Sequence, residues 1–100
     1  MRTLISFAHS RGVSMLMKNP DDTGDSYAAD MVPYADGVLS EQCNEYGTCG
    51  ALTGYVAAGK AVFNAEYALA TSQFCPADDA RGFNGARFET NLAGARNPCR

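Results

Sequence analysis

Four apolar runs recur along the chain, and each one follows a glycine. The glycines are separated by 22 to 25 positions, and each run becomes polar at its end. A left-handed glycine commonly ends a helix, and continuous apolar runs are typical of parallel strands that are buried on both faces. The pattern therefore predicts helices that alternate with parallel strands. The strands are predicted to begin after Gly12, Gly37, Gly59 and Gly82.

The segments before these glycines are predicted to form helices of uneven quality. Pro33 should kink or end the second helix, and Gly54 weakens the third. We therefore expect the second helix to be interrupted. The four segments cover residues 4–11, 26–36, 52–58 and 75–81.

Polar side chains stand at the end of every predicted strand. In a parallel sheet covered by helices, functional sites collect at the carboxyl ends of the strands. Burying an unpaired polar group costs about 2–7 kcal/mol, so we expect the polar ends to share one pocket. These ends are Lys18-Asn19, Glu41-Gln42, Asn64 to Tyr67, and Glu89 to Asn91.

The length and composition favour one small globular domain over residues 1–100. The chain has 100 residues, of which 46% are hydrophobic and 19% are charged, with a formal net charge of −3. No basic run is present, which argues against nucleic acid or an anionic membrane surface as a partner. No apolar run is long enough to span a bilayer. The charge favours a neutral or cationic ligand.

The four cysteines contain no C-x-x-C pair, which argues against a structural zinc site. We expect two disulfides, with the pairing Cys43–Cys49 and Cys75–Cys99 preferred because each pair brackets a loop. Each would contribute about 2–4 kcal/mol. Disulfides imply an oxidising compartment outside the cytoplasm. The first residues do not read as an export signal, so we expect the natural chain to extend upstream of Met1.

Glu41 is the strongest candidate for a catalytic group. It follows the apolar residues of the second strand and precedes a loop that the Cys43–Cys49 bridge would hold rigid. Such a fixed carboxyl group suits a general acid or base. Position alone equally allows a structural carboxylate that pairs with Lys18. Lys18 is then its charge partner, or alternatively a Schiff-base nucleophile of an aldolase-type barrel.

Other polar and aromatic residues near the strand ends could contact a sugar. Glu66 is a second carboxylate at equivalent depth, and two facing carboxyl groups are the minimum for glycoside hydrolysis. It could equally accept a hydrogen bond from a sugar hydroxyl. Tyr46 and Tyr67 could stack on a sugar ring or attract an ammonium group, whereas Phe74 is expected to cover the core.

His9 and a short acidic loop have simpler interpretations. His9 lies inside the first predicted helix and is expected to be an ordinary surface or half-buried histidine. The loop containing Asp21, Asp22 and Asp25 loosely resembles a calcium-binding loop but lacks the distal glutamate of an EF-hand. We expect a solvated turn that leads into the next helix.

Five motifs in this order resemble a known family. They are "AHSRGVSMLMKN", "SEQCNEY" followed by Cys49, "AGKAVFNAEY", "SQFCP" and "NPCR". They resemble the C-terminal part of the glycoside hydrolase family 114 barrel, the secreted endo-α-1,4-polygalactosaminidase-like proteins. The resemblance implies an α/β fold that is part of a (β/α)₈ TIM barrel, roughly its C-terminal half, with about four parallel strands.

The resemblance also implies a reaction and a set of site residues. The family's catalytic glutamate corresponds to Glu41, and its aspartate lies in a D-N motif upstream of the first helix, which no segment of this chain matches. The reaction is hydrolysis of α-1,4 bonds in galactosamine-containing polysaccharide, without a metal or organic cofactor. The residues expected to line the sugar site are Lys18, Asn19, Gln42, Tyr46, Asn64, Glu66 and Tyr67.

The absent aspartate implies that the chain is inactive by itself. A half-barrel leaves strand edges unpaired, so we expect it to need the missing N-terminal half-barrel or a second copy of itself. The alternative is a non-catalytic fragment that binds carbohydrate or another protein. Either would be a secreted, extracellular protein.

Overall fold

The computed structural model describes residues 1–23, 25–89, 94 and 96–100 of the chain. Helices and strands alternate along it, and two short 3-10 turns lie at Pro20–Thr23 and Cys49–Leu52. The helices are α1 (Arg2–Ser10), α2 (Asp25–Asp30), α3 (Cys43–Tyr46), α4 (Thr53–Ala57) and α5 (Thr71–Arg81). The strands are β1 (Leu16–Lys18), β2 (Gly37–Glu41), β3 (Ala61–Glu66), β4 (Asn84–Arg87) and β5 (Asn97–Pro98).

The five strands form one sheet in the order β1-β2-β3-β4-β5. The first four strands are parallel, and helical segments connect them, as the apolar runs predicted. β5 runs antiparallel to β4 and was not predicted, because a two-residue strand leaves no periodic pattern in the sequence. The short helix α3 was not predicted either.

Three of the four glycines end a helical segment as predicted. Gly12, Gly59 and Gly82 have φ angles of 72°, 77° and 78°, which a residue with a side chain rarely adopts. The prediction for Gly37 is wrong, because Gly37 is the first residue of β2. A Cβ atom there would lie 2.7 Å from the carbonyl oxygen of Ala61, so this glycine allows β2 and β3 to approach each other.

Two helices differ in length from the prediction. α2 ends at Asp30, before Pro33, because proline cannot continue a helix. α5 begins at Thr71, four residues before the predicted start. There the side-chain oxygen of Gln73 accepts a hydrogen bond of 2.7 Å from the amide of Ala70, a contact that satisfies a free amide at a helix start.

The hydrophobic core lies between the helices and one face of the sheet. Met17, Val38 and Val62 occupy paired positions on β1, β2 and β3 and are at most 4% exposed. Phe74 on α5 is fully buried, as expected for a residue that covers the core. The hydroxyl of Tyr55 also finds a partner inside the core, donating a 2.7 Å hydrogen bond to the Ala28 carbonyl oxygen.

The opposite face of the sheet is open, contrary to the prediction that the strands are buried on both faces. Leu16, Leu39 and Phe63 lie on this face and are 48%, 37% and 43% exposed. Among the described residues, no helix covers them. A cleft of about 390 Å³ begins at Leu39 and Phe63 and extends to Phe88 beyond β4. The strands are thus apolar on both faces, and the described residues cover only one of them.

Both predicted disulfides are confirmed. Cys43–Cys49 joins the start of α3 to the following 3-10 turn. Cys75–Cys99 joins α5 to the residue after β5. Each bridge therefore holds a segment outside the α-helices and strands against a neighbouring α-helix.

Asp36 fixes the chain just before β2. Its carboxylate accepts hydrogen bonds from the Met15 amide at 2.6 Å and from the Nε2 atom of His9 at 2.8 Å. The Met15 amide first, and His9 second, lower the pKa of Asp36 below its ordinary value. His9 is a partly exposed residue, as expected, but it has this specific partner.

Two further predictions concern membrane-spanning segments and the end of the fourth strand. No helix among the described residues is long and apolar enough to cross a bilayer. Thr90 and Asn91, predicted to end the fourth strand, lie outside the described residues.

Candidate active site

Glu41 lies at the carboxyl end of β2, on the open face of the sheet. Paired residues of parallel strands point to the same face, and consecutive residues alternate. Lys18 pairs with Leu39, and Ala65 pairs with Glu41, so Lys18, Leu39, Glu41 and Ala65 share the open face. The strand ends therefore bring Glu41 and Lys18 together, as predicted.

Three side chains contact the Glu41 carboxylate. Asn19 donates a 3.0 Å hydrogen bond from Nδ2 to Oε1, and the Tyr67 hydroxyl donates a 2.6 Å hydrogen bond to Oε2. The Lys18 Nζ atom lies 3.5 Å from Oε1. Asn19 Oδ1 also accepts a 2.7 Å hydrogen bond from the Glu41 amide. Both carboxylate oxygens are thus held while the side chain keeps 31% of its surface exposed.

These contacts set the protonation state of Glu41. The Tyr67 hydroxyl first, and Asn19 second, lower the pKa of Glu41 below its ordinary value; partial burial opposes them, and the nearby Lys18 charge makes a smaller contribution to the lowering. The same hydrogen bond raises the pKa of Tyr67 to about 12. The carboxylate is therefore ionised at neutral pH. Lys18 is 67% exposed, so its ion pair contributes little to stability.

Two residues in the site have left-handed backbone conformations. Asn19 follows β1 with a φ of 51°, and Gln42 follows β2 with a φ of 64°. The Gln42 amide donates a 2.7 Å hydrogen bond to the carbonyl oxygen of Ala65 on the next strand. Non-glycine residues adopt this conformation where the surrounding structure enforces it, often at functional sites. Here it turns the chain sharply beside Glu41.

Gln42 and Tyr46 lie just beyond Glu41, at the two ends of α3. The Gln42 amide group donates a 2.9 Å hydrogen bond from Nε2 to Glu45. Tyr46 is 66% exposed, so its ring is free to meet a ligand from solvent. The structure thus places three predicted site residues, Lys18, Asn19 and Tyr67, in contact with Glu41, and Gln42 and Tyr46 follow it along the chain at the two ends of α3.

Asn64 and Glu66 do not join this group. Asn64 pairs with Ser40, so its side chain points to the helix-covered face, and Glu66 follows two residues later on the same face. Asn64 is 2% exposed and Glu66 is fully buried. Because a sugar on the open face could not reach them, we remove both residues from the predicted sugar site.

Asn64 and Glu66 instead belong to a buried polar cluster with Asn44 and Asp78. Asn64 Nδ2 donates 2.9 Å hydrogen bonds to both Glu66 Oε2 and Asp78 Oδ2. Asn44 donates from its amide to Glu66 at 2.9 Å and from Nδ2 to Asp78 at 2.8 Å. The cluster ties β3, α3 and α5 together.

One signal for this cluster is visible in the sequence. Asp78 follows Phe74 by four positions on α5, so the two share the buried face of that helix. A carboxylate on a buried helix face needs polar partners. Asn64 on β3 is one of these polar partners.

The acidic loop after β1 is not simply solvated. Asp21 is 3% exposed and accepts hydrogen bonds from the Ser40 hydroxyl at 3.1 and 3.2 Å and from the Thr48 hydroxyl at 2.5 Å. Asp21 thereby fastens the first 3-10 turn beneath β2. The prediction of a solvated turn is therefore wrong for Asp21. Its carboxylate can be buried because the hydroxyl groups of Ser40 and Thr48 donate hydrogen bonds to it.

The described residues contain one group of three potential metal ligands, formed by Cys43, Cys49 and Asp78. Both sulfur atoms belong to one disulfide and so cannot act as thiolate ligands. This group does not fit a metal ion.

We expect Tyr67→Phe to raise the pKa of Glu41 towards its ordinary value, because the Tyr67 hydroxyl is the largest cause of its lowering. A carboxyl titration by carbon NMR would measure this shift, with Tyr46→Phe as the matched control. The lowered pKa stabilises the fold above the unfolded-state pKa, and that stability is lost as the pH falls through the folded-state value. Tyr67→Phe should therefore also reduce the amount of stability that the protein loses as the pH falls. An unchanged Glu41 titration would contradict this account of the site.

The chain shares a family model and a fold with known proteins. A family model described as "Glycoside-hydrolase family GH114" matches residues 1–100. A sequence comparison with curated proteins gives no significant match. The chain is structurally similar to Aspergillus fumigatus Ega3, crystallised in complex with galactosamine, with a TM-score of 0.76 and 24% identity.

The structural match also defines how much of the barrel the chain represents. It covers 96% of this chain and 42% of the Ega3 chain. The α/β fold is therefore that of part of a TIM barrel, as the sequence motifs implied. Because the family model matches every residue, the chain belongs to glycoside hydrolase family GH114.

Proposed function

We propose that this chain supplies one catalytic carboxylate and part of the sugar site of a glycosidase that hydrolyses α-1,4 bonds in galactosamine-containing polysaccharide. One observation carries the proposal. Glu41 stands on the open face at a strand end, ionised and oriented by Tyr67 and Asn19. A carboxylate held in this way suits chemistry at an anomeric carbon.

The ionised state of Glu41 narrows its role. A carboxylate can attack the anomeric carbon or remove a proton from water, whereas a general acid must carry a proton at the start of the reaction. The hydrogen bond from Tyr67 stabilises the ionised carboxylate and so favours a role as nucleophile or as general base. The general acid is then a second carboxyl group. Glu66 does not qualify, because it is fully buried on the opposite face.

That second carboxyl group is proposed to come from outside this chain. The family resemblance assigns it to an aspartate on an upstream strand, and the chain spans 42% of the Ega3 chain. We therefore propose that the isolated chain does not hydrolyse its substrate. The open face beside Glu41 is where the remaining part of the barrel would place the aspartate.

The substrate class follows from charge and from the relative. A partly deacetylated galactosamine polymer is cationic, and this chain has a formal net charge of −3. Ega3 was crystallised with galactosamine. Lys18, Asn19 and Gln42 offer donors for sugar hydroxyls, and the exposed Tyr46 ring offers a stacking surface. The two disulfides support secretion.

A completed barrel tests the proposal. Residues 1–100 would replace the matching part of Ega3 in one polypeptide, and reducing ends released from partly deacetylated α-1,4-galactosamine polymer would be measured. We expect the completed barrel to release reducing ends and the isolated chain to release none. A folded barrel that binds the polymer without cleaving it would favour the alternative, a non-catalytic carbohydrate-binding fragment.

A further inference from the structure

The buried residue Glu66 lies next in sequence to Tyr67, although its own side chain points to the opposite face of the sheet. We propose that Glu66 is a positioning residue, whose buried carboxylate holds the left-handed turn at Gln42. This turn then keeps the Glu41 carboxylate in place against the Tyr67 hydroxyl. The consequence for catalysis rests on the proposed function, whereas the positioning itself can be tested without any reaction.

The turn at Gln42 needs restraints on both sides. Its φ of 64° is one that a residue with a side chain rarely adopts unless the surrounding structure enforces it. Before the turn, the Gln42 amide donates a 2.7 Å hydrogen bond to the Ala65 carbonyl oxygen. After the turn, the Asn44 amide donates a 2.9 Å hydrogen bond to Glu66 Oε2, and this contact is the anchor of the turn. Both acceptors belong to β3, so this strand holds the turn from both sides.

Both partners of the anchor are themselves held by the buried polar cluster. Asn44 Nδ2 donates to Asp78 Oδ1 at 2.8 Å, and Asn44 Oδ1 accepts from Arg81 Nη1 at 3.3 Å. Glu66 is fully buried, and its Oε2 atom also accepts a 2.9 Å hydrogen bond from Asn64 Nδ2. Buried groups that are hydrogen-bonded in this way have a defined position. The anchor therefore fixes the start of α3 relative to β3 and α5.

The candidate catalytic carboxylate is joined to the same strand end on the other face of the sheet. Glu41 directly precedes the turn, and Tyr67 directly follows Glu66. The Tyr67 hydroxyl donates its 2.6 Å hydrogen bond to Glu41 Oε2. Without the anchor, the turn would relax and the Glu41 carboxylate would move relative to the Tyr67 hydroxyl. Because this hydroxyl is the largest cause of the lowered pKa of Glu41, that movement would raise the pKa.

Other restraints near Glu41 do not replace the anchor. The Cys43–Cys49 bridge joins two residues that both follow the turn, so it does not tie the turn to β3. Lys18 and Asn19 contact Glu41 from the end of β1, which lies on the other side of β2 from β3. The hydrogen bond that reaches Glu41 from the β3 side is therefore the one that the anchor controls.

A carboxyl titration of Glu41 by carbon NMR in the isolated chain tests the proposal with variants that separate reach from charge. Glu66→Asp keeps a carboxylate but shortens the side chain by one methylene group, whereas Glu66→Gln keeps an oxygen at full reach. We expect Glu66→Asp to raise the pKa of Glu41 towards its value in Tyr67→Phe, and Glu66→Gln not to raise it. An unchanged Glu41 titration in Glu66→Asp would overturn the proposal. A shift in Glu66→Gln alone would also overturn it, because the charge of Glu66 would then be responsible.

A change at the turn itself distinguishes positioning from a general effect on packing. Glycine adopts a positive φ without steric cost, so Gln42→Gly should make the turn independent of its anchor. In the Gln42→Gly background, Glu66→Asp should therefore leave the pKa of Glu41 where Gln42→Gly alone sets it. A general packing effect of Glu66→Asp would shift the Glu41 titration equally in both backgrounds, and that result would overturn the proposal.

The pH profile of the completed barrel tests the consequence for catalysis. Glu41 must be ionised in its proposed roles, so a higher pKa moves the acidic limb of the kcat/KM profile to higher pH. We expect this movement in Glu66→Asp and not in Glu66→Gln, with KM unchanged in both. An active barrel whose profile does not move in Glu66→Asp would overturn the effect on catalysis. An inactive barrel would count against the proposed function, and the Glu41 titration would still decide the role of Glu66.

Discussion

Glu41→Gln is expected to reduce the release of reducing ends by the completed barrel by about 10²–10⁴-fold, the range typical of a lost acid or base. The amide keeps the shape of the side chain, and its one oxygen can still accept the hydrogen bond from either Asn19 or Tyr67. It cannot attack an anomeric carbon or accept a proton from water. The loss should therefore appear in kcat while polymer binding persists.

Glu45→Gln is the matched control for this experiment. Glu45 lies four positions further along, on α3, and accepts a hydrogen bond from Gln42 that a glutamine oxygen can also accept. Its replacement removes the same charge from the same end of the sheet without touching Glu41. Equal activity of Glu41→Gln and the unmodified barrel would refute the proposed role of Glu41. Equal losses in both variants would show a general effect of charge instead.

Glu66→Ala is expected to lower the free energy of unfolding of the isolated chain by about 3–5 kcal/mol. The change removes the acceptor of the Asn44 amide and one acceptor of Asn64 Nδ2, and it leaves Asp78 buried beside the gap. Buried donors that lose their partners carry the full cost of desolvation. Urea unfolding followed by circular dichroism would measure the loss.

Glu66→Gln separates the structural role of Glu66 from a role in sugar binding. Its remaining side-chain oxygen can accept both hydrogen bonds, so this variant should lose less stability than Glu66→Ala. In the completed barrel, neither variant should raise KM for the polymer once the protein is folded. A raised KM with unchanged stability would return Glu66 to the sugar site.

The arrangement of the parallel strands was predictable from the sequence, but the faces of the strands were not. Apolar runs ending in polar residues are visible without a structure, and they correctly placed Glu41 beside Lys18 at neighbouring strand ends. Asn64 and Glu66 occupy equally suggestive positions on β3. A shift of one residue in register moves every side chain of a strand to the opposite face. A run that is apolar on both faces is compatible with either register, so its sequence does not show which face a residue takes.

Contacts between distant segments were the other part that the sequence did not reveal. Asp21 meets Ser40 and Thr48, which lie 19 and 27 positions away, and Asp78 meets Asn44 across 34 positions. Such pairs follow from tertiary packing and have no local pattern. The disulfides were more accessible, because four cysteines allow only three pairings.

The alternation along β3 limits how the chain can change in length. Ala65 faces the Glu41 side of the sheet, and its neighbours Asn64 and Glu66 face the buried cluster. An insertion or deletion of one residue within this strand would turn the carboxylate of Glu66 towards the cleft and bring an alanine to the place of a buried hydrogen-bonding group. A substitution at one of these positions removes only the contacts of that side chain. A change in length would misplace the residues on both faces of the strand at once. Related chains should therefore vary in length in the connections between strands and keep β3 constant.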